Sequence, residues 1–139
     1  MKAEDLMVGD RVLLFDDKPV KVDCIGNVEV YLSDENGIDW RVTYEHINPI
    51  PLTAEILEKN GFENDFYEDV SVADYHSIRV EGYSLRGKVD GWDDFLISSC
   101  NGTTNVVTDF HGEFRGEIDY VHTFQHALKL CGIDLEIKL

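Results

Sequence analysis

Apolar and polar positions alternate with a period of two through much of the first fifty residues. Val20, Val22 and Cys24 alternate with Lys21 and Asp23. Val28, Val30 and Leu32 alternate with Glu29 and Tyr31, and Ile38, Trp40, Val42 and Tyr44 with Asp39, Arg41 and Thr43. Successive strand side chains point to opposite faces, so this pattern predicts antiparallel strands with one buried face. Gly26-Asn27 separates the first two runs. A leading glycine suits a type II′ hairpin turn, which requires positive φ at that position. Asp34-Glu35-Asn36-Gly37 closes the next hairpin. Before them, "VGDRVLLF" reads as a turn and a first strand, ended by Asp16-Asp17-Lys18-Pro19. Four short strands, each with one apolar face, are expected to curl into a small barrel of the Src-homology-3 type, finished by a short turn at Tyr44 to Ile47. Tyr31 is the aromatic of the polar face.

The period changes at Pro49 and Pro51. "PIPLTAEILEKNGF" predicts a short helix near residues 54–60. Thr53 can cap its free N–H groups, and Leu52 and Leu57 have hydrophobic-staple spacing across that cap. Asn60-Gly61 stops it. Strands then resume. Ile78 and Val80, then Glu81-Gly82, then Tyr83 and Leu85 read as a tight hairpin. "WDDFLISSCNGTTNVVTDF" reads as another, turning at Asn101-Gly102. Phe114, Ile118 and Tyr120 alternate with Arg115, Glu117 and Asp119, and a last helix follows near residues 120–131. The predicted class is α+β, mostly β. Residues 1–50 form the small barrel lobe. Residues 51–139 form an α+β lobe, an antiparallel meander covered by the C-terminal helix.

Charge narrows the functional classes. Among 139 residues, twenty-eight acids against twelve bases give a net charge of −16. Such a field repels phosphate, so direct binding to nucleic acid or an anionic membrane is not expected. Glu63 to Asp74 and Val89 to Phe114 each hold five acids and no base. These stretches read as a solvated surface, or as a patch that meets a basic partner. Cys24, Cys100 and Cys131 form no C-x-x-C pair, which fits a reducing compartment. No apolar run approaches the roughly 18 residues of a membrane span. "MKAEDLMVGD" lacks the apolar segment of a signal peptide. The expected location is the cytoplasm.

Candidate chemistry is sparse. "YVHTFQHALKLCGI" places His122 and His126 four residues apart on the last helix. At 100° per residue, Tyr120, Val121, Phe124, Ala127, Leu128 and Cys131 share an apolar arc of about 120°. His122, His126 and Lys129 fall opposite, toward water or a partner. Gln125 flanks the arc and can reach inward. Zinc needs three or four converging ligands. The two histidines are therefore surface residues of a capping helix, or part of a metal site completed by His111 or Asp109. Asp93-Asp94 beside Trp92 are adjacent strand residues pointing to opposite faces, which argues against a carboxylate dyad. Ser98, Ser99 and Cys100 lack a nearby base and a nucleophile elbow. Gly9-Asp10 and Gly87-Lys88 lack the flanking pattern of a phosphate loop. No residue is assigned a catalytic, cofactor-binding or metal-binding role, and no cofactor is implied.

The stretches "LMVGDRV", "PIPLTAEILEKNGF" and "YVHTFQHALKLCGI" carry a resemblance, resting on Pro49 to Thr53, Gly61-Phe62, and Tyr120-Val121-His122 with Gln125. Together they resemble a family of small uncharacterised proteins from gut anaerobic bacteria and their phages and mobile elements. The matched segments cover about a quarter of the chain, and residues 63–117 match nothing in it. No activity is assigned to that family, so the resemblance carries over no site residues. It implies a cytoplasmic bacterial protein, and a structural task for His122 and Gln125 such as hydrogen bonding strand ends near the helix start.

The expected function is a non-enzymatic, acidic protein-interaction module of an accessory or mobile-element system, with a basic protein as partner. A DNA mimic is one variant of it. The alternatives are a small metal-dependent hydrolase using His122 and His126, and a structural subunit of a larger assembly. Oligomeric state is not legible in the sequence.

Overall fold

The computed structural model describes residues 1–73, 76–85, 95–100, 105–108, 115–130 and 132–139. They fall into two compact units. One comprises Met1–Pro51 with Tyr120–His126, the other Leu52–Asp119 with Ala127–Leu139.

The first unit contains β1 (Arg11–Leu14), β2 (Lys18–Ile25), β3 (Glu29–Asp34), β4 (Asp39–Thr43) and β5 (Ile47–Pro49). They form one antiparallel sheet in the order β4-β3-β2-β1-β5. A 3-10 turn at Tyr44–His46 leads into β5, where a turn was expected. The ladder does not close into a barrel, because β4 and β5 are its two edges. Alternation builds its core: Val12, Leu14, Val20, Val22, Val30, Leu32 and Ile47 are buried with Leu6, and Trp40, Val42 and Tyr44 pack against them.

Three local expectations fail for identifiable reasons. The β2–β3 register shifts between Val22 and Cys24. An extra residue at a β-bulge breaks the alternation, so Cys24 is exposed. Val28 lies before β3 and is exposed. Gly26 is not among the glycines with positive φ. It is required instead by close approach, since a Cβ there would stand 2.7 Å from the Glu29 carbonyl oxygen. The next turn forms as read: the Asp34 side chain accepts from the N–H groups of Asn36 and Ile38, and Gly37 N–H donates to Asp34 O.

The second unit begins with helix α1 (Ala54–Lys59). Thr53 accepts from Ile56 N–H at its N-terminus, and Leu52 and Leu57 are buried. At its end Gly61 N–H donates to Glu58 O and Phe62 N–H to Leu57 O. That is a Schellman stop, with Phe62 and Leu57 both buried. Asn60 holds the C-terminal segment. Its amide donates to Lys138 O and accepts from Lys138 N–H, each at 2.7 Å. Strands β6 (Glu63–Ala73), β7 (His76–Leu85), β8 (Phe95–Cys100), β9 (Asn105–Thr108) and β10 (Arg115–Glu117) make a five-stranded antiparallel meander in sequence order. The tight hairpin at Glu81-Gly82 is not formed, because β7 runs straight through both residues. Glu81 pairs with Tyr67 on one side and Ser99 on the other. Ladders on both edges outweigh the local turn preference.

The last helix, α2 (Val121–Leu130), begins in the first unit and ends in the second. Its end is a second Schellman stop, with Ile133 N–H donating to Leu128 O and Gly132 N–H to Lys129 O. Among the described residues no helix is long and apolar enough to cross a membrane. Trp92, Asp93, Asp94, Asp109, His111, the Asn101-Gly102 turn and Cys131 lie outside the described residues.

Gly26→Ala is expected to destabilise the first unit by roughly 1–3 kcal/mol, the usual effect of forcing an extra carbon into a packed site. Urea unfolding followed by Trp40 fluorescence checks it.

Candidate functional site

The site is built around Asp10, which is fully buried. Residues Met7–Asp10 form a turn, with Asp10 N–H donating to Met7 O. Gly9 has φ 95° at its third position, where a type II turn needs glycine. The turn is pinned to β2: Gly9 N–H donates to Val22 O, and Val22 N–H to Asp10 O. These bonds aim the Asp10 side chain inward. Its Oδ2 accepts from Met7 N–H at 2.7 Å and lies 2.7 Å from His126 Nε2.

The start of α2 supplies the other side. Val121 N–H donates to Ile50 O, and Phe124 N–H to Tyr120 O. The Thr123 hydroxyl donates to Tyr120 O and accepts from Tyr120 N–H, closing the first turn. His122, Gln125 and His126 then lie three and four residues apart, on neighbouring positions of one helix face. Gln125 Nε2 donates to Gly9 O at 3.0 Å, and its Oε1 accepts from Arg11 N–H at 2.8 Å. One amide thus bonds the backbone on both sides of Asp10, where β1 begins. His126 packs edge-on against His122, and His122 stacks on Tyr120.

The reading of both histidines as solvent-facing is therefore corrected. His122 is buried and the His126 side chain is only 23% exposed. Helical angles separate the apolar arc from the polar one; they do not say that the polar arc is left uncovered. Here the Gly9–Arg11 segment covers it, and Gln125 reaches inward as its angle suggested. Asp10 was missed. In sequence it is one acid among twenty-eight, and only its place before an apolar strand hinted at burial.

A buried carboxylate needs donors, and Asp10 takes both on one oxygen. Asp10 Oδ1 and His122 Nδ1 are buried and find no hydrogen-bond partner among the described residues. Burial pushes the His122 pKa down, the nearby Asp10 charge opposes that push, and His126 adds to it. His122 is thus favoured in its neutral form. An aspartate holding an imidazole is also the orienting half of an acid–base pair. In this unit the pair joins the turn before β1 to the start of α2. Among the described residues, no group of three or more His, Cys, Asp or Glu could hold a metal ion. The proposed third ligands His111 and Asp109 lie outside the described residues.

Two outcomes are expected. His126→Ala should destabilise the chain by about 1.5–3 kcal/mol, the usual worth of a hydrogen bond to a charged group, measured by urea unfolding at pH 7.5. The second concerns acid. Unfolded, His122 takes up its proton near its ordinary value of 6.5; folded, it does so only at lower pH. Stability from this group is complete above that value and falls as pH drops below it, since the unfolded chain then binds more protons. Replacing His122 by Phe should flatten that acid-side slope in unfolding curves from pH 7.5 to 5. An unchanged slope would mean that other groups set it.

No protein-family model, curated protein or solved structure matches this chain.

Proposed function

We propose that the chain is a non-enzymatic, acidic protein-interaction module of an accessory or mobile-element system, and that its partner is a basic protein. The observation that carries this reading is the charge: twenty-eight acids against twelve bases, with Asp16, Asp17, Asp23, Glu35, Asp39 and Glu45 exposed on the first unit alone. An acidic field speeds encounter with a basic surface and disfavours nucleic acid and anionic membranes. Strand order, with a 3-10 turn before β5, supports reading the first unit as a small, partly open barrel of the Src-homology-3 type. Function in such a scaffold resides in its surface. The exposed free thiol of Cys24 suits a cytoplasmic setting. The metal-dependent hydrolase has less support, because Asp10 engages His126, and His122 is buried.

Immobilised protein should retain a defined set of basic proteins from a gut-anaerobe lysate at about 0.1 M salt, where charges are felt over about 10 Å, and release them near 1 M, where that range falls to about 3 Å. Retaining nothing, or retaining the same set as an unrelated protein of equal net charge, would overturn the reading.

A further inference from the structure

The turn between β1 and β2 carries a feature that the core does not require. Phe15 has φ 53° and Asp16 φ 72°, two successive residues in the left-handed region. For a bulky aromatic this conformation is an outlier, held only where surrounding bonds enforce it. Phe15 N–H donates to His46 O, and the Asn48 amide donates to the Asp16 carboxylate. The strained side chain is not sheltered by the fold: Phe15 is 52% exposed. Its ring meets Trp40 edge-on at 6.5 Å and His46 at 5.4 Å. His46 is itself half exposed.

The Trp40 ring is fixed and already receives a cation. Its Nε1–H donates to Asp34 Oδ2, and its inner side packs on the core. Lys18 Nζ stands 4.8 Å from the ring centroid and 3.8 Å from the Asp34 carboxylate. Lys18 and Asp34 also line a shallow recess with Pro19, Glu35 and Asn36. Exposed acids adjoin each aromatic along the chain: Asp16 and Asp17 after Phe15, Asp39 before Trp40, and Glu45 before His46.

We propose that the ledge formed by Phe15, Trp40 and His46 docks a cationic segment of a partner protein, in which an arginine or lysine lies beside an apolar residue. This deepens the acidic-module reading and rests on it. The apolar residue meets the exposed Phe15 ring. The cation displaces Lys18 from the Trp40 face, where an indole quadrupole and nearby carboxylates both favour it. A second copy of this chain is the wrong occupant, because two chains of charge −16 repel.

Selection of a random twelve-residue peptide library against the protein, followed by titration of the best synthetic peptide, tests the proposal. Enriched peptides should pair Arg or Lys with an apolar neighbour, bind one to one, and shift the Trp40 indole N–H resonance. Phe15→Asn should weaken binding at least tenfold while leaving the melting temperature unchanged or higher, because asparagine tolerates the left-handed region that phenylalanine does not. His46→Ala should weaken binding in the same direction, and it serves if Phe15→Asn does not fold. Asp23→Asn, on β2, should change affinity less than twofold. Basic peptides that bind wild type and both ledge variants equally would overturn the ledge and leave the acidic module standing. Enrichment of neutral or acidic peptides, or a wild-type dimer by light scattering that Phe15→Asn dissolves, would overturn the stated occupant. No enrichment at all would count against the ledge and the module together.

Discussion

A carboxylate that gives up water must find donors inside the protein, and the N-terminal unit is arranged around that requirement at Asp10. The turn that carries Asp10 is bonded to β2, so its side chain is held inward before any helix is considered. One donor comes from within the turn, at Met7. The other comes from His126, one hundred and sixteen positions away in sequence. Gln125 adds two bonds to the backbone on either side. Two adjacent residues of the helix, Gln125 and His126, thus fix where α2 starts against β1. Removing His126 takes away one of the two donors to the buried Asp10 carboxylate, which is more damaging than the bond's net worth suggests.

Among the described residues, Asp10 and His126 have the contact that an acid–base pair would have, and that contact joins two segments distant in sequence. The proposed docking surface lies at the β1–β2 turn instead. There an aromatic is held out in a strained conformation beside a fixed indole and exposed carboxylates. Burial has removed polar capacity from the first place, and strain has preserved apolar capacity at the second.

Much of this was legible and some was not. Strands β1 to β4, the cap at Thr53 and the stop at Gly61 follow from local rules, because each depends on residues a few positions apart. The bulge in β2 was not legible, since "VKVDC" alternates without interruption and only the pairing with β3 places the extra residue. Continuation of β7 through Glu81-Gly82 was hidden for a like reason: turn preference is local, and the two flanking ladders are not. The helical arithmetic sorted His122, Gln125 and His126 correctly by angle. It could not show that a segment from the other end of the chain covers them.

The sequence by itself determined the alternation that makes an antiparallel sheet, the cap and stop of the first helix, and a net charge of −16. These depend on side-chain chemistry and short-range geometry, both written in consecutive residues. Only the tertiary structure decided which acid is buried, which histidine answers it, and which aromatics gather at one turn. Those outcomes depend on contacts between segments twenty-five to more than a hundred residues apart, and no local pattern records which polar face another segment will cover.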